Sequence, residues 1–441
     1  MKKTLLTSLV SCFAVFACQN MIAQEASIPN RGCGTMENLE MMKQQDPGLE
    51  SRMAILEEQA QAYLKSNPPT TQGVIYTIPI VFHVVWETAA QNVTTACINA
   101  QLAVINADFR KLNTDWTKVT QPGWAALVAD CEIQFCLATK DPTGATMTTP
   151  GITRTQTTAS PFAMSGNPVK FTAQGGKDVW DRTKYLNIWV CDLSGGLLGY
   201  AQFPGQGAST DGVVIDYQYM VGSAGCGTAP YNLGRTSTHE LGHFFGLYHI
   251  WGDDGTACTG SDQCSDTPNQ GGENYQCWAA GTVRTGSCGA GSDGSPSSTA
   301  SPGYMWMNYM DYTDDACMYM FTNGQKAKIV AAMNGSTRVG LKTSAVTNCA
   351  VTGINEVFSS DNISIFPNPS TGEVSITTMS NIHSMDLKVY NAIGEAVVTK
   401  KINVSASGET KINLSNNPDG IYLFEVKTSE GTITKKIIIN R

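Results

Sequence analysis

Three histidines and a glutamate in one short run have the types and spacing to hold a metal ion and move a proton. The run is His239-Glu240-Leu241-Gly242-His243-Phe244-Phe245-Gly246-Leu247-Tyr248-His249. A helix turns once every 3.6 residues, so His239 and His243, four apart, share one face. Gly246 is predicted to end that helix, because glycine leaves a helix without a steric penalty. The sharp exit lets His249 return as a third nitrogen ligand. Glu240, one position round from His239, is placed to take a proton from a water on the metal. This is the spacing H-E-x-x-H-x-x-G-x-x-H of a hydrolytic zinc site. The competing reading, core histidines on a buried helix, is weak in a chain with 5 histidines in all.

A second constellation follows in Asn308-Tyr309-Met310-Asp311-Tyr312. A methionine in a tight turn can floor a metal site without ligating it. Tyr312 can offer its phenol to the oxyanion of peptide attack. Two readings fit Cys33, within Arg31-Gly32-Cys33-Gly34-Thr35. It is a thiolate that fills the open metal position of an inactive precursor, or it is an ordinary disulfide or unpaired thiol. His83 lies in an apolar strand and reads as a satisfied core residue.

The chain of 441 residues has room for two or three domains. A net charge of -8 and no basic run exclude nucleic acid as the expected partner. Lys2 and Lys3 precede an apolar run from Leu5 to Cys18 and a small-residue site near Ala23, so residues 1–23 read as a secretory signal peptide. The run is too short to span a bilayer, and Phe16-Ala17-Cys18 fits a lipoprotein signal poorly. Of 14 cysteines, Cys12 and Cys18 leave with the signal, and the even remainder in an exported chain reads as disulfide staples.

Residues 24–70 are polar and helix-prone, with a thin apolar stripe of Leu56, Ala60 and Leu64, as suits a detachable pro-segment. Thr77 to Trp86 reads as a buried strand. Ile98, Leu102, Ile105 and Phe109 mark a backing helix. Strands are expected at Glu132–Ala138 and Tyr185–Leu193, with a rim strand at Leu198–Phe203 along which an extended peptide can pair. The expected catalytic unit, residues 71–348, is α/β: a mostly parallel sheet with one edge strand along the cleft, the histidine helix and a loop-rich lower half. From 354 to 441, seven short alternating strands at about ten-residue spacing describe a small β-sandwich.

The histidine run with Asn308 to Tyr312 resembles the pappalysin family of metzincin zinc metalloproteases. Tyr231-Asn232-Leu233-Gly234-Arg235, Ser265-Asp266-Thr267-Pro268 and Tyr312-Thr313-Asp314-Asp315 add to the likeness, which covers roughly residues 76–345. The resemblance implies zinc on His239, His243 and His249, Glu240 as general base, Met310 as the Met-turn residue and Tyr312 as transition-state stabiliser. It also implies disulfides Cys258–Cys288 and Cys277–Cys317, calcium near Asp262, Asp266 and Thr267, and release of the pro-segment at Ser51-Arg52. Cys264 departs from the family's simplest pattern. Pro367-Asn368-Pro369-Ser370-Thr371-Gly372 and the terminal Lys435-Lys436-Ile437-Ile438-Ile439-Asn440-Arg441 resemble the sorting domain of type IX secretion.

The expectation is therefore a secreted or surface-attached zinc endopeptidase acting on proteins or peptides and exported latent. Two rivals are a zinc-stabilised adhesin and a zinc amidase on the same sorting domain. A free Glu240 beside the ligands favours the hydrolase, since a structural zinc site prefers four protein ligands. Asp314 and Asp315 are expected to favour a basic residue after the cleaved bond.

Overall fold

The structure is a computed structural model that describes residues 30–66, 74–222, 225–255, 257–285, 288, 303–346, 363–378, 384–391, 394–403, 409–428 and 432–441. The signal peptide, both ends of the expected pro-segment and the boundary near residue 354 lie outside them.

Two helices open the described chain, α1 (Thr35–Gln45) and α2 (Leu49–Ser66). The body is built on β1 (Tyr76–Trp86), whose residues from Ile78 to Val85 are all buried. A strand buried on both faces must read as a nearly continuous apolar run, and Thr77 to Trp86 does. β1 is long enough to serve two neighbours on one side. Its first half pairs in parallel with β2 (Ile133–Leu137) and its second half with β3 (Ile152–Gln156). On its other side lie β4 (Leu186–Cys191), β6 (Val213–Asp216) and then β5 (Gly199–Ala201). All pairs are parallel except β5 with β6, so the sheet is mostly parallel with one edge strand, as expected, and that edge strand is antiparallel.

Behind the sheet lies α3 (Thr95–Phe109), capped by the Thr94 side chain, which accepts from the Cys97 N–H. Ile98, Ile105 and Phe109 are fully buried in the main core. The short α4 (Pro122–Ala125) follows. α5 (Arg235–Phe244) carries the histidines, and every one of its residues is buried. Loops and turns then run to α6 (Asn323–Asn334), which begins with a capping box between Thr322 and Gln325. Buried ion pairs tie α5 down at both ends. Arg235 meets Asp108 near its start. Near its end Arg338 bonds the Phe244 carbonyl and pairs with Asp211.

Disulfides join Cys97 to Cys226, Cys258 to Cys288 and Cys277 to Cys317. The expectation that all exported cysteines pair does not hold. Cys33, Cys131, Cys191 and Cys264 are buried free thiols. Cys131 and Cys191 sit in apolar clusters, where a thiol serves as a small hydrophobe.

The last part has two sheets, β10-β9-β12-β13 and β11-β8-β7. The strands are β7 (Ile363–Phe366), β8 (Glu373–Thr378), β9 (Ser384–Tyr390), β10 (Ala396–Asn403), β11 (Glu409–Asn413), β12 (Gly420–Thr428) and β13 (Thr432–Ile439). Ile363, Val374, Leu387, Phe424 and Ile437 enclose one core between the sheets. This is the expected sandwich, and alternate residues point in and out along its strands except in β10, where the register shifts near Val398.

Candidate metal centre

Gly246 ends the histidine helix as its spacing requires. Its φ is +92°, its N–H bonds the His243 carbonyl, and Leu247 N–H reaches back to Gly242 O. That pair of bonds is a Schellman motif, which suits glycine at the left-handed position. The chain reverses, and His249 comes back to the face of His239 and His243.

The three Nε2 atoms converge. His243 Nε2 lies 3.2 Å from that of His239 and 3.1 Å from that of His249. Cys33 Sγ is 3.5 Å from His243 Nε2. Among the described residues, these four form the one group of three or more His, Cys, Asp or Glu whose ligand atoms gather in this way. Each imidazole is held by its other nitrogen. Nδ1 of His239 meets Tyr309 O at 2.7 Å, that of His243 meets Leu247 O at 2.7 Å, and that of His249 meets Asp253 Oδ1 at 2.7 Å. A proton on each Nδ1 leaves the Nε2 lone pairs free to point inward. Burial, then the neighbouring imidazoles, pushes His239 down, and burial leads the same shift in His243, so both stay neutral. Bonds of about 2.0–2.3 Å to nitrogen and sulfur put tetrahedral ligands roughly 3.3–3.6 Å apart, so the donor set fits zinc.

Glu240 lies beside this group and is 1% exposed. Burial above all raises its carboxyl to about 7, against bonds from Thr35 and Cys33 that lower it. Thr35 Oγ1 donates to Glu240 Oε2 at 2.8 Å and accepts from Ala201 N–H at 2.8 Å. Burial pushes the Cys33 thiol up, with Glu240 adding to it. A cation among the four ligands would reverse that shift and favour the thiolate.

Met310 lies under the helix at Gly242, where an added Cβ would stand 2.4 Å from its sulfur. Gly242 is therefore glycine for close approach, a need the motif spelling does not reveal. The Tyr312 ring packs 5.7 Å from His239 and 5.0 Å from His249, centre to centre. Asp311 accepts from the N–H groups of Tyr312 and Asn274 and from the side chains of Asn274 and Gln270. It thereby ties the turn to the loop that faces it.

The edge strand β5 is occupied. Leu198 N–H bonds Gly32 O at 2.8 Å and Gly34 N–H bonds Gly199 O at 2.9 Å, so residues 32–34 lie parallel to it. Arg31 leads this segment into a buried recess. It pairs with Asp315, bonds Thr236 Oγ1 and Thr313 O at 3.2 Å, and lies over the Tyr231 ring. Asp314 is part-exposed and makes no ion pair with it.

The residues expected near calcium are drawn apart in their bonding. Asp262 accepts from Cys264 N–H and Thr267 Oγ1. Asp266 accepts from Thr322 Oγ1 and Gly324 N–H at the start of α6. Ser51 and Arg52 lie in the first turn of α2, with Arg52 bonded to Asp46 and to Gly205 O. Sequence reasoning overlooked Asp253 and the Thr35 bond to Glu240. Asp253 lies four residues after His249 in an irregular turn that no helix or strand period marks, and the Thr35 bond depends on where the chain folds back 205 residues away.

Residues 172–334 match the peptidase family described as pregnancy-associated plasma protein-A, and residues 364–440 match the secretion system C-terminal sorting domain. An extracellular metalloprotease of Arthroderma otae is 38% identical over 151 residues, 33% of this chain and 50% of that one. One of Verticillium alfalfae is 40% identical over 155 residues, 33% of this chain and 48% of its own. The chain thus spans about half the length of the curated relatives it matches. Among solved structures, a Tannerella forsythia promirolysin mutant is 40% identical with a TM-score of 0.62, covering 71% of this chain and 97% of that one. Mature mirolysin of Tannerella forsythia, in complex with a cleaved peptide, is 42% identical with a TM-score of 0.56, covering 62% of this chain and 97% of that one.

Proposed function

Because the chain belongs to the pregnancy-associated plasma protein-A (pappalysin) family of metallopeptidases, we propose that it is a secreted zinc endopeptidase folded as a latent precursor. The observation that carries the reading is the convergence of three histidine Nε2 atoms and the Cys33 thiol, with Glu240 beside them. His239, His243 and His249 would hold the zinc, and Cys33 would take its fourth position while the pro-segment is in place. Once bound, zinc supplies a Lewis acid that polarises a carbonyl and makes water a nucleophile near neutral pH. Glu240 takes the proton of the attacking water and gives it to the leaving amine, a task suited to a carboxyl raised to about 7. Tyr312 stabilises the oxyanion with its phenol, and Met310 floors the site.

The recess that takes Arg31 is the specificity pocket in this reading. A buried carboxylate together with an aromatic face on which the guanidinium lies suits arginine as the first residue after the cut bond. The pro-segment fills the cleft as a peptide does, but its chain runs parallel to β5. Peptide recognition also favours a peptidase over an adhesin or an amidase. The sorting domain supports export through type IX machinery and release or surface attachment.

Release at Ser51-Arg52 requires the first turn of α2 to unwind, since proteases read extended chain. Calcium would have to displace Thr267 from Asp262 and the α6 cap from Asp266. Calcium titration against thermal stability tests that part alone. The decisive experiment is a casein assay on processed, zinc-loaded protein with and without chelator. Cleavage that stops on chelation and returns with zinc supports the reading, and no cleavage by the loaded protein rejects it.

A further inference from the structure

The turn that follows the third histidine carries an indole onto the site. Trp251 is 6% exposed, and its ring lies face to face with the His249 imidazole, 4.3 Å between centres and 5° from parallel. The backbone imposes this stack. Gly252 N–H bonds His249 O at 3.0 Å, and Gly252 takes a φ of +73°. A Cβ at Gly252 would stand 2.3 Å from Ser261 N, so glycine lets the turn close against the loop that follows. One residue before Trp251, Ile250 N–H reaches Met310 O at 3.4 Å and ties the turn to the segment that carries Tyr312.

The Tyr312 ring meets both members of the stack. Its centre lies 5.0 Å from that of His249 and 4.8 Å from that of Trp251, at 80° and 76° to them. A ring on top of the pile would be near one member and far from the other. Tyr312 therefore stands beside the pile, upright against both rings, a geometry that aromatic quadrupoles favour. The His239 and Tyr275 rings are more distant, at 5.7 Å and 6.1 Å. Among the described residues the Tyr312 phenol has no hydrogen-bond partner, so ring packing sets its direction.

We propose that Trp251 is a positioning residue for peptide hydrolysis: with His249 it forms a side wall that holds the Tyr312 phenol where the oxyanion develops. The inference rests on the reading of Tyr312 as the oxyanion stabiliser. A donor aimed at developing charge helps most when it is preorganised, because reorienting it during the reaction forfeits part of the gain. Left unsupported, a tyrosine ring spreads over several staggered positions. The imidazole half of the wall is fixed by Asp253 on Nδ1 and by the cluster on Nε2. The indole extends that fixed surface to the far half of the Tyr312 ring. His249, Trp251 and Tyr312 all follow residue 52, and none of these contacts involves the pro-segment, so processing leaves the wall on the chain.

The test is a double-mutant cycle of Trp251→Leu and Tyr312→Phe in the full chain, processed and zinc-loaded, on a peptide the wild type cuts. Tyr312→Phe should lower kcat about a hundredfold. Trp251→Leu should lower kcat about tenfold with KM unchanged, and should add no loss in the Tyr312→Phe background. A phosphinic peptide that mimics the tetrahedral intermediate should bind Trp251→Leu about tenfold more weakly than wild type. The cleaved product peptide should bind both alike, and zinc retention against a chelator should be unchanged. Melting temperature checks the fold of each variant. Where Trp251→Leu does not fold, Trp251→Phe decides: it keeps a smaller flat ring and should lose about threefold, a loss that again vanishes in the Tyr312→Phe background. Equal losses in both backgrounds, or a loss explained by faster release of zinc, overturn the proposal and make Trp251 a prop of His249. A Tyr312→Phe protein with full kcat overturns the reading of Tyr312, and the proposal falls with it.

Discussion

Cys33 Sγ stands 3.5 Å from Nε2 of His243, a contact that joins residues 210 apart in the chain. Two residues later, Thr35 donates to Glu240 at 2.8 Å. One short segment thus engages both a ligand of the proposed metal and the proposed base. The backbone bonds of residues 32–34 to β5 keep the segment from drifting, so the two side chains act together.

If Cys33 is the group that keeps the site closed, Cys33→Ala in the full chain should cleave peptides before any processing. The expected gain over the unprocessed wild type is at least about tenfold, the scale at which losing one contact of about 1.4 kcal/mol shows. The measurement is initial peptide turnover at matched zinc content. A Cys33→Ala protein as silent as the wild type would assign latency to α1 and α2 rather than to the thiol.

Glu240 is buried beside the histidines without joining their Nε2 cluster. Glu240→Ala in processed protein should therefore keep one zinc per chain and lose about a thousandfold in kcat, within the usual range for removing a general acid–base group. Metal analysis and turnover on the same sample separate the two effects. Loss of zinc along with activity would make Glu240 a structural prop of the ligands.

What the sequence made legible is local. His239, His243 and Gly246 follow from helix periodicity and one C-terminal turn, and the structure carries them in those roles of geometry. Most strands of the last part were legible because they alternate, as β9 does with Met385, Leu387 and Val389 buried, whereas β10 carries a register shift near Val398 and does not. The rim strand was legible as the short run Leu198–Phe203 before a glycine-rich stretch, but its antiparallel direction was not, because pairing direction is set by which strand it meets. What escaped is set by irregular local turns and by tertiary placement. Asp253 reaches His249 Nδ1 through a turn in which Asp253 itself has φ of +54°. Asp311 organises four donors, two of them on a residue 37 positions away. The free thiols of Cys131 and Cys191 were misread because parity of cysteines says nothing about burial.

Asp315 anchors the recess that holds Arg31 and also accepts from Leu233 N–H at 2.8 Å and Arg235 N–H at 3.1 Å. Asp315→Asn keeps the shape and one acceptor oxygen but removes the charge. It should lower the preference for arginine over leucine after the cut bond by about tenfold or more, since a buried charge pair broken on one side costs at least about 2 kcal/mol. Cleavage-site sequencing on a peptide mixture reads this directly. An unchanged arginine preference in a folded Asp315→Asn would place the selecting charge elsewhere.

The remaining histidine of the sheet predicts how the fold responds to acid. His83 is fully buried in β1, with Nδ1 2.8 Å from Thr153 Oγ1 and Nε2 3.0 Å from Asn187 Oδ1. Both bonds suit a neutral ring, and burial leads the shift that pulls its pKa down to about 4. In the unfolded chain the same ring titrates near 6.5. Above pH 6.5 neither state binds the proton, and the stability tied to the neutral ring is fully present. Below it the unfolded chain takes up the proton first, so stability falls as pH drops from about 6.5 toward 4. A difference of roughly 2.5 pKa units corresponds to about 3 kcal/mol by the low end of that window. Denaturant melts of zinc-loaded wild type and His83→Gln across pH 4 to 7 should therefore converge as the pH falls, with the variant the less stable at neutral pH and the less sensitive to acid. Parallel curves across the window would mean that His83 is not the group that responds.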